Sequence, residues 1–301
     1  MRMKRLRAFT LVELFIAMTI TGLVMGSVIA LMFSVFKSNE FHQDIAEAKQ
    51  RGQIALAAIQ PYVLNAGLGL PHTSLASAFK EDDGTQVVAV TSFARPVQLA
   101  LDKTNVTTAK KAAALWLVYS MPSGGGVNAE YNAAANNDVI LDVAQFAQLG
   151  AASNLSTNKQ LLKAWIAFPS ATAPFGISVI DTAQKQLTVR SLSAQKIAPF
   201  DEVHFVRAAK IYVNNGTLTI DRLDGTGPQP VVDGIAGMWC TYDQDGDRLL
   251  NIYILARSNT TQSGKQQSEI EGWPSDASPA KSALDSSYRY AVVSRSWRIR
   301  N

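Results

Sequence analysis

At 301 residues, with 47% hydrophobic and 17% charged side chains, the chain suits one large domain or two smaller ones and is neither a disordered nor a multi-span membrane composition. Its formal charge of +4 is concentrated at the start, where Arg2, Lys4, Arg5 and Arg7 precede the first apolar run; without these four, 24 basic side chains face 24 acidic ones. That balance removes the electrostatic case for nucleic acid as a partner. A single cysteine, Cys240, excludes an internal disulfide, and nothing stands beside it at metal-ligand spacing.

From Phe9 to Phe36 the chain is continuously apolar with one charge, Glu13. The length predicts a helix that crosses a hydrocarbon core. The basic residues before it predict a cytoplasmic N-terminus and an exported C-terminal bulk. A cleaved secretory signal would have a shorter apolar stretch ending in a small-x-small site, and none follows here. A carboxylate in the span costs roughly 2.5–3.5 kcal/mol on insertion scales, so Glu13 calls for a function and a partner.

The residues Ala8-Phe9-Thr10-Leu11-Val12-Glu13-Leu14 resemble the class III signal of type IV prepilins and type II secretion pseudopilins: a short basic leader, a small residue, an aromatic, and an acid five residues into the mature chain. The resemblance implies cleavage between Ala8 and Phe9 by a prepilin peptidase, N-methylation of Phe9, and pairing of Glu13 with the terminal amine of an adjacent subunit. Ala8 departs from the glycine usual before the cut. Residues 1–8 are then a leader, 9–36 the membrane half of a long helix, 37–64 its amphipathic half, and 65–301 a β-rich soluble domain. Within the span, Gly22 and Gly26 form a small-xxx-small pair, which either admits a second helix closely or loosens this one.

Past the span, Phe41, Ile45, Ala48, Gly52, Ala55, Ile59 and Tyr62 fall at alternating spacings of four and three, a stripe that packs on a domain. Pro61 and the Gly-Leu-Gly-Leu-Pro stretch at 67–71 are expected to end the helix. Strand patterns then occupy 86–93, 114–121, 138–146, 163–168, 177–181, 186–192, 203–213, 217–223, 231–242, 249–256 and 288–299, and Asn215-Gly216 signals a two-residue hairpin. The expected fold class is α+β, pilin-like, with the helix on an antiparallel sheet. Residues 123–137 and 258–287 read as excursions too poor in apolar side chains to form core.

The resemblance narrows with the Ala-Gly-Leu-Gly turn at 66–69, the Tyr-Val-Asn-Asn-Gly-Thr-Leu hairpin at 212–218, the Asp-Gly-Ile at 233–235 and the ending Tyr-Arg-Tyr-Ala-Val-Val-Ser-Arg-Ser-Trp-Arg-Ile-Arg-Asn. Together these look like minor pilins of the PilW type, related to the J-type pseudopilin. What that implies is a low-abundance, non-enzymatic subunit, inserted once in the inner membrane with its soluble domain in the periplasm. It would then join other minor pilins and the major pilin in a priming or tip complex, through an inner-membrane assembly platform. The alternatives are a secretion pseudopilin, or a pilus-borne adhesin or DNA-uptake subunit that binds through its excursions.

No zinc-protease, hydrolase-elbow or phosphate-loop motif is present, and His42, His72 and His204 are far apart in sequence. Gly124 to Gly126 read as a flexible loop. No cofactor is expected, with one opening for a metal: Asp243, Asp245 and Asp247 alternate like the start of a calcium loop. The pattern then fails, with Arg248 and Ile254 where that loop has Gly and its closing Glu, and a solvated turn explains the aspartates equally well. Arg289 and Arg295 are expected to point away from Arg298 and Arg300, so no basic stripe forms.

Overall fold

Leu11–Asn65 form one unbroken helix of 55 residues, α1. The computed structural model of the chain describes residues 10–70, 77–80, 87–90, 96–101, 107, 109–146, 165–222, 227–243, 245–259, 261 and 270–299. Pro61 lies inside α1 and does not end it. Proline deprives only the carbonyl four residues earlier of its donor, and Ala57 and Pro61 both face solvent, where water replaces that bond. The buried stripe is Asp44, Ala48, Gly52, Ala55, Leu56, Ile59 and Val63; Phe41 stays at the rim.

Strands follow in the order β1 (Ser77–Lys80), β2 (Val87–Val90), β3 (Val97–Ala100), β4 (Lys111–Ala112), β5 (Ala114–Val127), β6 (Tyr131–Ala133), β7 (Asp138–Ala144) and β8 (Trp165–Ala167). Then come β9 (Phe175–Asp181), β10 (Gln186–Ser191), β11 (Gln195–Ile197), β12 (Glu202–Asn214), β13 (Thr217–Asp221), β14 (Pro228–Asp233), β15 (Ile235–Tyr242), β16 (Leu249–Arg257) and β17 (Tyr290–Arg298). The β12–β13 hairpin turns at Asn215-Gly216, both at positive φ, as the sequence predicts.

Two long strands organise the rest. Residues 202–211 of β12 pair antiparallel with 115–126 of β5. Their C-terminal and N-terminal halves, respectively, are flanked by β13–β14 and β3. This sheet and the sheet β17-β16-β15-β4 enclose a first core with α1, in which Leu56, Ile59 and Val63 meet Leu115, Leu117, Ile211, Leu218, Ile252 and Trp297. In their other halves the same two strands belong to a closed ring, β12-β8-β9-β10-β7-β5 and back to β12, which abolishes edges. Its interior is a second core of Leu141, Val143, Ile166, Phe175, Leu187, Val203 and Phe205, with no residue from the helix. Among the described residues the β-rich part therefore has two large cores strung on one strand pair, with smaller apolar clusters around Trp116 and Val206 and around Leu255 and Trp273.

Three expectations are corrected. Residues 123–127 are not a loop but the end of β5, with Ser123, Gly125 and Val127 buried in alternation. At Gly126 a Cβ would stand 3.2 Å from the Asp201 carbonyl oxygen, a tight contact that glycine avoids. Tyr131–Ala133 pairs with β11, and Ala133 enters the second core. In the stretch 258–287, Ile270, Trp273 and Ala277 pack on Leu255 and Tyr290, and Trp273 Nε1 donates to the Pro279 carbonyl at 3.1 Å. The run 231–242 breaks at Gly234, φ 71°, where the chain crosses from the first sheet to the second around the Arg51 guanidinium.

Candidate functional site

The first half of α1 is bare of contacts with the other described elements. From Leu11 to Phe36 its large apolar side chains are exposed, and the helix is long and apolar enough to cross a membrane. Thr19, Thr21 and Ser27 give their hydroxyl protons back to the carbonyls of Phe15, Ala17 and Val24, so the hydroxyls need no water. A Cβ added at Gly22 or Gly26 would meet nothing within 4 Å, which leaves that face open to another helix.

Glu13 closes the start of the helix. Its backbone N–H donates to Thr10 Oγ1 at 3.3 Å, and its Oε2 accepts from the Thr10 N–H at 2.9 Å and from the Thr10 hydroxyl at 3.0 Å. This is a capping box, a role for Glu13 beside the pairing that the resemblance implies. Ala8 and Phe9 lie outside the described residues.

The amphipathic half is clamped along its length. Glu47 bonds Arg51 and accepts from the Asn259 N–H, Gln60 accepts from Arg295 at 2.7 Å, and the Tyr62 hydroxyl accepts from Arg222 at 2.9 Å. The Arg289 guanidinium sits 5.3 Å from the Phe41 ring centre. Arg295 reaches the helix at Gln60 and Arg298 is exposed, while Arg300 lies outside the described residues.

Of the three aspartates, Asp243 is paired with Lys110, whose ammonium holds its carboxyl below the usual carboxylate range. Asp247 accepts from the Leu249 N–H at 3.0 Å. Among the described residues no three His, Cys, Asp or Glu side chains stand together in a metal-holding group. Cys240 is wholly buried, and burial pushes its thiol far above its ordinary pKa.

One constellation had no signal in the sequence. Ser120 Oγ lies 3.4 Å from His204 Nδ1, and His204 Nε2 lies 3.8 Å from Glu202. The hydroxyl, however, donates to the Leu68 carbonyl at 2.7 Å in a buried position. What it does here is tie the turn after α1 to β5, beneath Gly69, where a Cβ would collide with Ser120 Oγ at 2.3 Å.

These features define an α+β protein carried on one long N-terminal helix, docked over its second half and bare over its first. No protein-family profile, curated protein or solved structure matches the chain.

Proposed function

We propose that the chain is a minor pilin, a non-enzymatic subunit that enters the inner membrane by its N-terminal helix and takes part in type IV pilus assembly within a priming or tip complex. The observation that carries this reading is the division of α1: one rigid helix whose second half is clamped to the soluble domain and whose first half is bare, apolar and opened by Glu13. A plain anchor needs neither rigidity across the membrane boundary nor an intramembrane acid. A filament subunit uses both, the bare half packing among its neighbours' helices and the carboxylate meeting a neighbour's terminal amine, since a buried charge is tolerable only when paired. In this reading Glu13 exchanges its capping bonds for that amine on assembly, and the subunit lies beneath another pilin.

Mass spectrometry of the membrane-extracted protein tests the reading. An N-methylated Phe9 terminus is expected; an intact Met1, or a start beyond residue 25, would overturn it. Glu13→Ala should still be inserted and cleaved, yet crosslink poorly to the partner above.

A further inference from the structure

An aromatic ring stands in solvent where β12 begins. Phe200 is 83% exposed, more than any other large apolar side chain among the described residues, and its φ of 67° is in the left-handed region that L side chains enter only at a steric cost. The turn is rigidly held. Phe200 N donates to the Val127 carbonyl and Val127 N to the Asp201 carbonyl, both at 2.9 Å. The Ser170 N–H and hydroxyl both donate to the Asp201 carboxylate, and Ala198 N donates to Ser170 Oγ at 2.9 Å. Backbone strain and an exposed phenyl ring are thus maintained together, with little of the ring covered by the described residues, the pattern expected where the strained residue serves a partner.

The other end of β12 carries a cleft of about 440 Å³, lined by Leu101, Ala113, Tyr212, Asn214, Met238 and Pro279 among others. A cavity of roughly 150 Å³ holds benzene, so a phenyl ring has ample room. The strand is 13 residues long. At about 3.3 Å per residue its ends are roughly 40 Å apart, too far for Phe200 to reach the cleft of its own chain. The flanking charges are also of opposite sign: Asp201 and Glu202 follow Phe200, while the Arg257 guanidinium, stacked on the Tyr288 ring at 4.4 Å, stands beside the cleft residue Gly216.

We infer that Phe200 of one copy seats in the Leu101–Pro279 cleft of a second copy of this chain. Knob and socket are different surfaces at opposite ends of one strand, so the contact is head-to-tail and leaves a free knob and a free socket at the ends of any row. The inference goes beyond the pilin reading and is independent of N-terminal processing.

Sedimentation of the full chain in detergent tests it. Self-association should weaken roughly thirtyfold in Phe200→Asn, as for loss of a central aromatic anchor. Asparagine tolerates the left-handed conformation, so the melting temperature should hold or rise and separate a lost contact from a lost fold. Ala113→Phe, which fills the cleft, should weaken association equally, and a one-to-one mixture of the two variants should form pairs that grow no further. Association through the membrane helix is common to all variants and cancels in the comparison. With Phe200 replaced by photoreactive benzoylphenylalanine, irradiation should crosslink to peptides containing Ala113 or Met238 of an isotopically labelled second copy. Equal sedimentation of wild type and Phe200→Asn, or crosslinks absent or confined to other peptides or other proteins, would overturn the inference.

Discussion

Gly52 lies where the helix packs tightly on Val293 of β17, and a single methyl there should report on the joint between anchor and domain. A Cβ at this position would stand 2.6 Å from Val293 Cγ2 and 3.1 Å from Val293 Cβ. Two effects oppose each other in Gly52→Ala. Alanine favours the helix by about 1 kcal/mol, while forcing a methyl into a packed contact costs about 1–3 kcal/mol. Valine is stiff about χ1 and Val293 packs against the first core, so the clash should prevail by about 1 kcal/mol. For a domain of this size that lowers the melting temperature by about 2–4 °C. In a Val293→Ala background the nearer atom is gone, and the same substitution should become neutral or stabilising by up to about 1 kcal/mol. Denaturant unfolding of the four full-length proteins in detergent, followed through tryptophan fluorescence, gives the coupling directly. Its expected size is about 1–2 kcal/mol, well outside the additivity error of roughly 0.3–0.5 kcal/mol. Equal effects of Gly52→Ala in both backgrounds would refute the close approach of helix and sheet.

Cys240, buried with its thiol pKa raised, should be inert to alkylation in the native protein and react only as fast as the first core unfolds; prompt labelling would contradict its burial. Burial pushes the ammonium of Lys210, near the Trp116 ring, below the usual lysine pKa, with the Asp221 carboxylate opposing. The unfolded chain then binds more protons at alkaline pH, so stability should rise with pH toward the ordinary lysine value when measured against Lys210→Met, a comparison that cancels the tyrosines. Asp138 is held below the usual carboxylate range by its hydrogen bond to Arg190, and Asp276 likewise by Lys111. Their contribution is whole above the unfolded carboxylate pKa and lost as pH falls through the lower folded values, so Arg190→Met should flatten the stability curve below roughly pH 4. Millimolar calcium should leave the melting temperature unchanged, because Asp243 is occupied by Lys110 and Asp247 by the Leu249 N–H. A rise would mean that the turn rearranges around the ion.

Much of this protein is local in origin. The apolar run after Phe9, the four-three stripe from Ala48 to Ile59, the Asn215-Gly216 turn and the Thr10–Glu13 cap each depend on residues a few positions apart, and each was legible in the sequence because helix period, turn chemistry and capping are set over that range. Residues 123–137 and 258–287 read as excursions because they are poor in apolar side chains, yet both contribute to sheet or core. At Gly126 the decisive neighbour is the Asp201 carbonyl, 75 residues away in the chain, and only when β5 lies against β12 does glycine become a strand requirement. Closure of the six-strand ring, the seating of Lys110 on Asp243 and the bonds that hold Phe200 in its strained turn are likewise pairings between distant segments. Tertiary structure alone decided them, because a strand's partner, unlike a helix's, is a segment elsewhere in the chain, and composition and spacing do not say which.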